Sequence, residues 1–279
     1  MGFILKKLIS LSFLTFILAC SNTFSQSTSY YPKHTLDTEH KSTVISQISK
    51  DGVLTVGIYT GNFLLVTGKD QNGNPDGVSP DMAKSIAADL GLKIQLQPFA
   101  IQGELVEAVA EGRCGIGLVG SDPDRAQKIT FAPAYVEIEA TYLVPAGSKI
   151  KKIADVDQKG VRIASFAKSA YDLWLVRNIQ NATLVHANNL KASVELFIDQ
   201  RLDALAGLRT GLVNESQKIP GSRILDGQFM AVQQGIATKK SNLETIAYLT
   251  NFVENAKKSG LVQDLINKHK VTGLSVAKN

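Results

Sequence analysis

The chain is organised around the stretch from Gly117 to Tyr135, which reads Gly-Leu-Val-Gly-Ser-Asp-Pro-Asp-Arg-Ala-Gln-Lys-Ile-Thr-Phe-Ala-Pro-Ala-Tyr. It predicts a buried strand ending at Gly120 and Ser121, a tight Asp-Pro-Asp turn, then Arg125 and a second short extended run. Such a turn presents small residues and free backbone amides beside a guanidinium, whose planar fork of donors matches a carboxylate. The pattern predicts that Arg125 anchors a ligand carboxylate; the alternative is that it ties down its own loop.

Composition and charge restrict the class of protein and the partners to be expected. The chain has 279 residues, of which 44% are hydrophobic and 20% charged, as in ordinary globular proteins, and this leaves room for two modest lobes. The formal net charge of +5 is thinly spread, with no Lys/Arg run longer than a pair, so a nucleic-acid partner is not expected. The four histidines have no metal-ligand spacing, and we expect neither a metal nor a cofactor.

The N-terminus is typical of an export signal. Two lysines precede an apolar stretch that is too short for a spanning helix, which needs about 20 apolar residues. The stretch ends in Leu-Ala-Cys-Ser, which resembles a bacterial lipobox with Cys20 as the lipidated first residue of the mature protein. Residues 1–19 are thus predicted to be a lipoprotein signal peptide, and ordinary cleavage near Ala19 is the alternative. Either route predicts a location outside the cytoplasm.

Residues 20–49 are rich in Ser, Thr, Gln and Tyr and follow no clear period. This predicts a flexible tether, with room for one short helix from Thr43 to Ser49. If Cys20 is lipidated, only Cys114 remains, so no intrachain disulfide is possible and Cys114 is predicted to be a small core residue.

The rest of the chain alternates predicted strands and helices. A first series contains a turn at Asn72-Gly73 and a helix capped by Ser79, and it crosses near Pro145 into a second series of the same kind. The chain returns through the run Met230 to Ala237. The pattern predicts an α/β fold of two doubly wound lobes joined by a two-strand hinge. The expected bounds are 50–145 and 233–279 for lobe 1 and 146–232 for lobe 2.

The run Gly115 to Gly120 matches the G-x-G-x-x-G pattern of dinucleotide sites. In such sites the glycines lie between a strand and a helix, whereas here they lie inside a predicted strand that Asp122-Pro123 follows. A nicotinamide or flavin site is therefore not expected.

The sequence resembles the periplasmic solute-binding proteins of ABC importers, in the family that binds polar amino acids. In that family a Thr-Pro-Glu-Arg turn precedes a Val-Asp-Phe-Ser-x-Pro-Tyr-Tyr run, and its Arg holds the ligand's α-carboxylate. Those places are filled here by Asp122-Pro123-Asp124-Arg125 and Ile129-Thr130-Phe131-Ala132-Pro133-Ala134-Tyr135. The resemblance covers about residues 50 to 270 and implies a clamshell, the type II periplasmic binding protein fold, with its ligand between the lobes.

The resemblance also implies a set of ligand-binding residues. From lobe 1 we expect the loop after the first strand, the end of the buried strand, and the arginine: Tyr59, Asn62, Phe63, Gly120, Ser121 and Arg125. From lobe 2 we expect the start of a helix, where backbone amides attract an anion: Ser169, Ala170 and Tyr171. Lys168 stands where the family has a glycine, and Tyr171 and Trp174 also fit a purely structural role in the core.

One departure from the family bears on the ligand. The family has an Asp that holds the α-ammonium, but Leu208 stands in that place here and Arg209 follows at once. Because a buried ammonium needs a carboxylate opposite it, we expect a small acid that lacks a free α-amine, with Arg209 in the site. The alternative is that Arg209 points to solvent and that Glu137 or Asp172 holds an amine.

The predicted function is to capture a small carboxylate-bearing solute, an amino acid or related organic acid, and to deliver it to an ABC transporter permease. We further expect a monomer in the periplasm, anchored to the membrane through lipidated Cys20. Two alternatives stay open. One is an enzyme, since some periplasmic dehydratases share the fold, although no catalytic residue is predicted. The other is a sensor whose loaded form docks on a membrane receptor.

Overall fold

A computed structural model describes residues 38–278, together with Gly2. The predicted lipidation site Cys20, nearly all of the predicted signal peptide and most of the predicted tether therefore lie outside the described residues. None of the helices in residues 38–278 combines the length and the apolar character that a membrane span requires.

Lobe 1 begins with a helix and is built on a parallel sheet. Its elements are α1 (Thr38–Ile48), β1 (Ser49–Lys50), β2 (Val53–Tyr59), β3 (Gly68–Lys69), β4 (Pro75–Asp76), α2 (Val78–Leu90), β5 (Lys93–Phe99), α3 (Gln102–Ala110), β6 (Ile116–Gly120), α4 (Pro123–Ala126) and β7 (Ile129–Phe131). Strand β2 pairs in parallel with both β5 and β6. Met82 and Ile86 of α2 pack on one face of the sheet, and Leu105 and Val109 of α3 on the other. Each pair is four residues apart, as an amphipathic helix requires.

Lobe 2 repeats this architecture. Its elements are β8 (Val136–Val144), a short 3-10 helix (Ile153–Asp155), β9 (Arg162–Phe166), α5 (Ala170–Asn178), β10 (Thr183–Ala187), α6 (Leu190–Asp199), β11 (Ala204–Leu208), α7 (Arg209–Ser216) and β12 (Arg223–Ile224). Strand β9 pairs in parallel with β10 and β11. Leu175 of α5 packs on one face, and Phe197 of α6 with Leu212 of α7 on the other.

Two adjacent strands join the lobes. After lobe 2 come β13 (Met230–Lys239), α8 (Leu243–Lys258), α9 (Leu261–Lys268) and β14 (Ser275–Val276). Residues 230–234 of β13 pair antiparallel with 136–140 of β8, and residues 234–238 pair with β6. Strand β8 then pairs with β11 of lobe 2, so each of the two strands passes from one lobe into the other. Helices α8 and α9 return to the lobe 1 core.

The folded part begins earlier than predicted. Helix α1 starts at Thr38, and its Val44 and Ile48, four residues apart, are buried in the lobe 1 core. The Thr245 hydroxyl of α8 donates to the side chain of Gln47 (2.8 Å). Residues 38–49 are thus part of lobe 1 rather than tether, because this apolar pair gives the helix a face to bury.

Two other local predictions were wrong. Helix α2 begins at Val78, so Ser79 lies inside it, and its hydroxyl shares a 2.6 Å hydrogen bond with the Tyr135 hydroxyl instead of capping the helix. Asp122 and Pro123 open a one-turn helix rather than a simple turn, and the Asp122 side chain accepts from the Asp124 amide (2.9 Å).

Cys114 is a buried core residue, as predicted, and it packs with α3. Burial raises the pKa of its thiol to about 11, which keeps the thiol protonated and unreactive at neutral pH.

Candidate ligand-binding site

A cavity of about 690 Å³, counted with its open mouth, lies between the lobes. Small-molecule sites are clefts lined mostly by apolar side chains with a few polar groups, and the lining of this cleft is of that kind. The residues from lobe 1 that line it are mostly polar: Tyr59, Gly61, Asn62, Phe63 and Gln102. Those from lobe 2 are mostly apolar: Phe166, Ser169, Ala170, Tyr171, Leu190, Val194, Gly207, Leu208, Gly211, Leu212 and Glu215. Hinge strand β13 adds Val232 and Gln234.

Arg125 lies directly behind the lining residue Gln102. Its side chain is buried and donates to three neutral acceptors: the Gly120 carbonyl (2.6 Å), the Lys168 carbonyl (3.0 Å) and the Gln102 amide oxygen. Burial lowers the pKa of Arg125 to about 10, so the guanidinium is still charged at neutral pH. Within residues 38–278 no carboxylate oxygen lies within 4.0 Å of its nitrogens. Among the described residues, then, Arg125 is a buried cation that makes no direct ion pair, although the charges of Asp122 and Asp124 act on it from farther away.

Gly120 lets the two lobes approach each other beside Arg125. A Cβ at this position would lie 3.2 Å from the Ala170 Cβ and 3.2 Å from Nη1 of Arg125. Since both distances are tighter than ordinary contacts, a larger residue at 120 would push the lobes apart or displace the guanidinium.

An ion pair joins lobe 2 to the turn that carries Arg125. Arg177 of α5 donates to both carboxylate oxygens of Asp122, at 2.6 and 3.2 Å, and lies 3.3 Å from Asp124. The Asp122 side chain is 3% exposed and that of Arg177 33% exposed. The hydrogen bond to Asp122 raises the pKa of Arg177. This two-pronged contact fixes lobe 2 against the anchor turn.

The start of α5 supplies the opposite side. The Ser169 side chain accepts from the Asp172 amide (3.2 Å) and caps the helix. Lys168 has φ of +61°, a left-handed conformation that favours glycine, which accounts for the glycine of the resembling family at this place. The Asp172 carboxylate accepts from the Lys168 amide (2.8 Å), and Arg125 donates to the Lys168 carbonyl. These bonds hold the turn in its strained form.

Of the two tyrosines at the site, Tyr171 is buried and Tyr59 is half-buried. Burial raises the pKa of Tyr59, against the opposing effects of Arg125 and of a hydrogen bond with Gln102. Burial also raises the pKa of Tyr171, which lines the cavity. Both phenols are therefore neutral. Trp174 instead packs on Phe229 in the lobe 2 core, with ring centroids 5.3 Å apart, and has a structural role.

Most of the predicted binding residues come together. Six line the cavity: Tyr59, Asn62, Phe63, Ser169, Ala170 and Tyr171. Gly120 and Arg125 contact lining residues without lining the cavity themselves. Ser121 is also absent from the lining, and its amide donates to the Gln233 carbonyl (2.7 Å) on the hinge.

Arg209 is not brought to the cavity, contrary to expectation. It pairs with Glu139 across the lobe 2 sheet and donates to the Gly227 carbonyl. Glu137 and Asp172, the suggested partners for an amine, do not line the cavity either: Glu137 accepts from Gln233 (3.1 Å). A charged residue that follows a buried strand can thus form its ion pair with a residue distant in the chain, here 70 positions away.

Sequence reasoning missed three polar lining residues, Gln102, Glu215 and Gln234. Two of them carried a usable signal. Gln102 is the first residue of a helix that follows a strand, and Gln234 lies on a hinge strand, and both kinds of position border the cleft of an α/β clamshell. Glu215 is near the end of α7, where nothing in the sequence distinguishes it from an exposed residue.

A cluster of Asp76, Asp81 and His269 has distances that could suit a metal, but its surroundings do not. Asp81 already accepts from Lys268 (2.7 Å) and Lys84 (2.9 Å) and contacts His269 (2.8 Å). Burial works against ionisation, yet these hydrogen bonds lower the pKa of Asp81 to about 2. Two ammonium groups at the site make it an ion-pair network that fastens α9 to α2, not a cation site.

The chain belongs to the bacterial extracellular solute-binding proteins, family 3, whose family model matches residues 54–272. A similar solved structure is the binding component of an ABC transporter from Wolinella succinogenes, complexed with lysine. It is 20% identical, with a TM-score of 0.66, over 78% of this chain and 96% of that one. This likeness confirms the predicted type II periplasmic binding protein fold.

Two other relatives are similar in sequence. A probable histidine-binding protein of Neisseria gonorrhoeae is 22% identical over 208 residues, which are 72% of this chain and 76% of the relative. A membrane-bound lytic murein transglycosylase F of Aeromonas hydrophila is 24% identical over 238 residues. That match covers 82% of this chain but 47% of the transglycosylase, so the chain spans about half the length of that relative.

Proposed function

We propose that this protein captures a small carboxylate-bearing solute, an amino acid or related organic acid, outside the cytoplasm and delivers it to an ABC transporter permease. The observation that carries the proposal is Arg125, a buried charged guanidinium beside the interlobe cavity that has no carboxylate partner among the described residues. A ligand carboxylate would supply the anion, in the two-pronged geometry that arginine favours.

Within this class we favour an amino acid. The expectation of an amine-free acid rested on Leu208 in the place of the family's Asp and on Arg209 facing the ligand. Leu208 lines the cavity, but Arg209 pairs with Glu139 instead. Glu215 gives the cavity a partly buried carboxylate, 23% exposed, that can face a cationic group, although Lys218 also donates to it (2.8 Å). Similar proteins include a probable histidine-binding protein and a transporter binding component complexed with lysine, which supports the same class.

A thermal-shift panel tests the proposal. The purified protein is heated with L-lysine, L-arginine, L-histidine, L-glutamate, pyruvate and 2-oxoglutarate, and each stabilising acid is measured by titration calorimetry. A ligand at 100 times its Kd should stabilise the folded state by about 2.7 kcal/mol. The methyl ester of each stabilising acid is the matched control, since it keeps the size and loses the anion. Equal stabilisation by acid and ester would contradict the role of Arg125.

Capture should involve closure of the lobes, because within residues 38–278 the chain crosses between them on two strands, β8 and β13. Small-angle scattering with a saturating acid from the panel should give a smaller radius of gyration than the ligand-free protein. An unchanged radius with proven binding would favour a rigid pocket.

The membrane anchor is proposed from the sequence alone. If Cys20 is lipidated, Cys20→Ala should move the exported protein from the membrane fraction to the soluble fraction. Ordinary cleavage near Ala19 predicts the same fractionation for both forms.

Transport is proposed in preference to catalysis or sensing. Deletion of the gene should abolish uptake of the acid that binds; uptake that persists while a cellular response to the acid is lost would identify a sensor. Because a transglycosylase is among the relatives, purified protein is also incubated with murein, and release of soluble fragments would identify an enzyme.

A further inference from the structure

We propose that Gln102 is a built-in substitute for the ligand carboxylate, which occupies the Arg125 guanidinium in the ligand-free protein and leaves it when an acid binds. This inference rests on the proposed function of Arg125 as the carboxylate anchor. It makes Gln102 a competitor of the ligand rather than a contact to it.

The three acceptors around Arg125 differ in their freedom to move. The Gly120 carbonyl belongs to β6, which is paired with β13, and the Lys168 carbonyl belongs to a turn held by Asp172. Both are backbone atoms: the Gly120 carbonyl is fixed within lobe 1, and the Lys168 carbonyl can leave only when the lobes move apart. The Gln102 oxygen is the one side-chain acceptor among the three.

The Gln102 side chain also has room to move away from Arg125. Its side chain is only half-buried and lines the cavity, and its position as first residue of α3 leaves no earlier helical turn to crowd it. Rotation about its side-chain bonds can therefore remove the amide from the guanidinium without moving the helix. Tyr59, which hydrogen-bonds with Gln102, lines the same part of the cavity.

The chemistry of the exchange favours a carboxylate. An amide oxygen accepts from a guanidinium in nearly the same geometry as one carboxylate oxygen, but it carries no charge. Charge-assisted hydrogen bonds are about twice as strong as neutral ones, so an acid can displace the amide. A neutral amide or ester offers Arg125 nothing better than Gln102 already does. Gln102 thus satisfies a buried cation while the site is unliganded, and it raises the selectivity for acids.

A double-mutant cycle, measured without ligand, tests the contact between Gln102 and Arg125. Gln102→Glu places a carboxylate where the substitute sits, and its effect on Tm is measured in the wild-type protein and in the Arg125→Gln background at pH 7. The new acid also interacts favourably with the N-terminus of α3, but this contribution is the same in both backgrounds and cancels. We expect Gln102→Glu to raise Tm only when Arg125 is present. Equal shifts in the two backgrounds would overturn the proposal.

Binding of L-lysine and L-histidine, measured by calorimetry, tests the competition. Gln102→Ala should tighten the affinity about two- to tenfold, the value of one hydrogen bond that no longer has to be broken. Gln102→Glu should weaken it at least about tenfold, because the internal carboxylate has to be displaced from a desolvated pair. The exposed Gln263→Glu in α9 is the control for added charge and should leave both affinities unchanged.

Weaker binding by Gln102→Ala would overturn the proposal, since it would make Gln102 a direct ligand contact. If the wild-type protein binds none of the acids in the panel, the proposed function fails. The thermodynamic cycle still decides the state of Gln102 in that case, so the two failures are distinguishable.

Discussion

The wall of the cleft that lobe 1 contributes is polar, whereas the wall from lobe 2 is largely apolar. Tyr59, Asn62 and Gln102 face the cavity from lobe 1, with Arg125 directly behind them. Lobe 2 presents aliphatic side chains such as Leu190 and the one acid of the lining, Glu215. We expect lobe 1 to orient the ligand, because directional donors and acceptors fix its position. We expect lobe 2 to exclude water from it. The lobes thus divide recognition between them.

The largest expected effect comes from removing the charge behind the polar wall. Arg125→Gln should weaken binding of a carboxylate ligand by about 2 to 5 kcal/mol, at least tenfold, because a desolvated charge pair loses one partner. Thermal stability should change little, since the lost side chain is a buried cation with neutral acceptors only. Calorimetry and thermal unfolding of the same samples check both statements. If Arg125→Gln bound the ligand as tightly as the wild type, lobe 1 would not orient the ligand through Arg125.

The second prediction concerns the contact that holds the two walls together. Arg177→Gln removes the two-pronged ion pair with Asp122, and the lobes should open in solution. Because Arg177 is one-third exposed, the loss of stability should be about 1 to 2 kcal/mol. Scattering of the ligand-free variant should give a larger radius of gyration. Asp124→Asn, which alters the exposed partner, should have a smaller effect, and equal radii for all three proteins would contradict a latch at this point.

A third prediction concerns the stability of lobe 1 in acid. The pKa of Asp81 is about 2 in the folded state, against 3.8 for an ordinary Asp side chain, so its hydrogen bonds stabilise lobe 1 above about pH 4. This contribution is lost as the pH falls from about 4 to 2, and after discounting for solvent screening it is about 1 kcal/mol. The free energy of unfolding of Asp81→Asn should lie below that of the wild type at pH 7, and the difference should shrink below about pH 4 and vanish only below about pH 2. A difference that does not depend on pH would exclude the carboxylate as its source.

The smallest effect is expected at the arginine that stays outside the cavity. Arg209→Gln removes an ion pair with an exposed Glu139 and should cost less than about 1 kcal/mol of stability. Ligand affinity should stay within about twofold of the wild type, since Arg209 lines neither wall. This variant is the matched control for Arg125→Gln. A large loss of affinity would mean that Arg209 does contact the ligand, at a second anionic group.

Much of the fold could be predicted because its signals are local. Helix α8 (Leu243–Lys258), for example, can be read from the sequence, since its apolar spacing and the following Gly260 lie within one stretch of the chain. The site was less predictable. Gln102 faces the cavity and Arg209 does not because of how the lobes pack, and the partner of Arg209 lies 70 residues earlier. Polar side chains show no periodicity that reports such pairings.

The position of β13 in the sheet has a consequence for the order in which the protein can fold. It lies between β6 and β8, yet its residues 230–239 follow the parallel strands β9 to β11 of lobe 2 in the chain. During synthesis lobe 2 can therefore complete its parallel sheet first, while lobe 1 waits for a strand that pairs with residues more than a hundred positions earlier. A chain cut short before Met230 would carry β6 and the start of β8 as open edges, which are templates for aggregation.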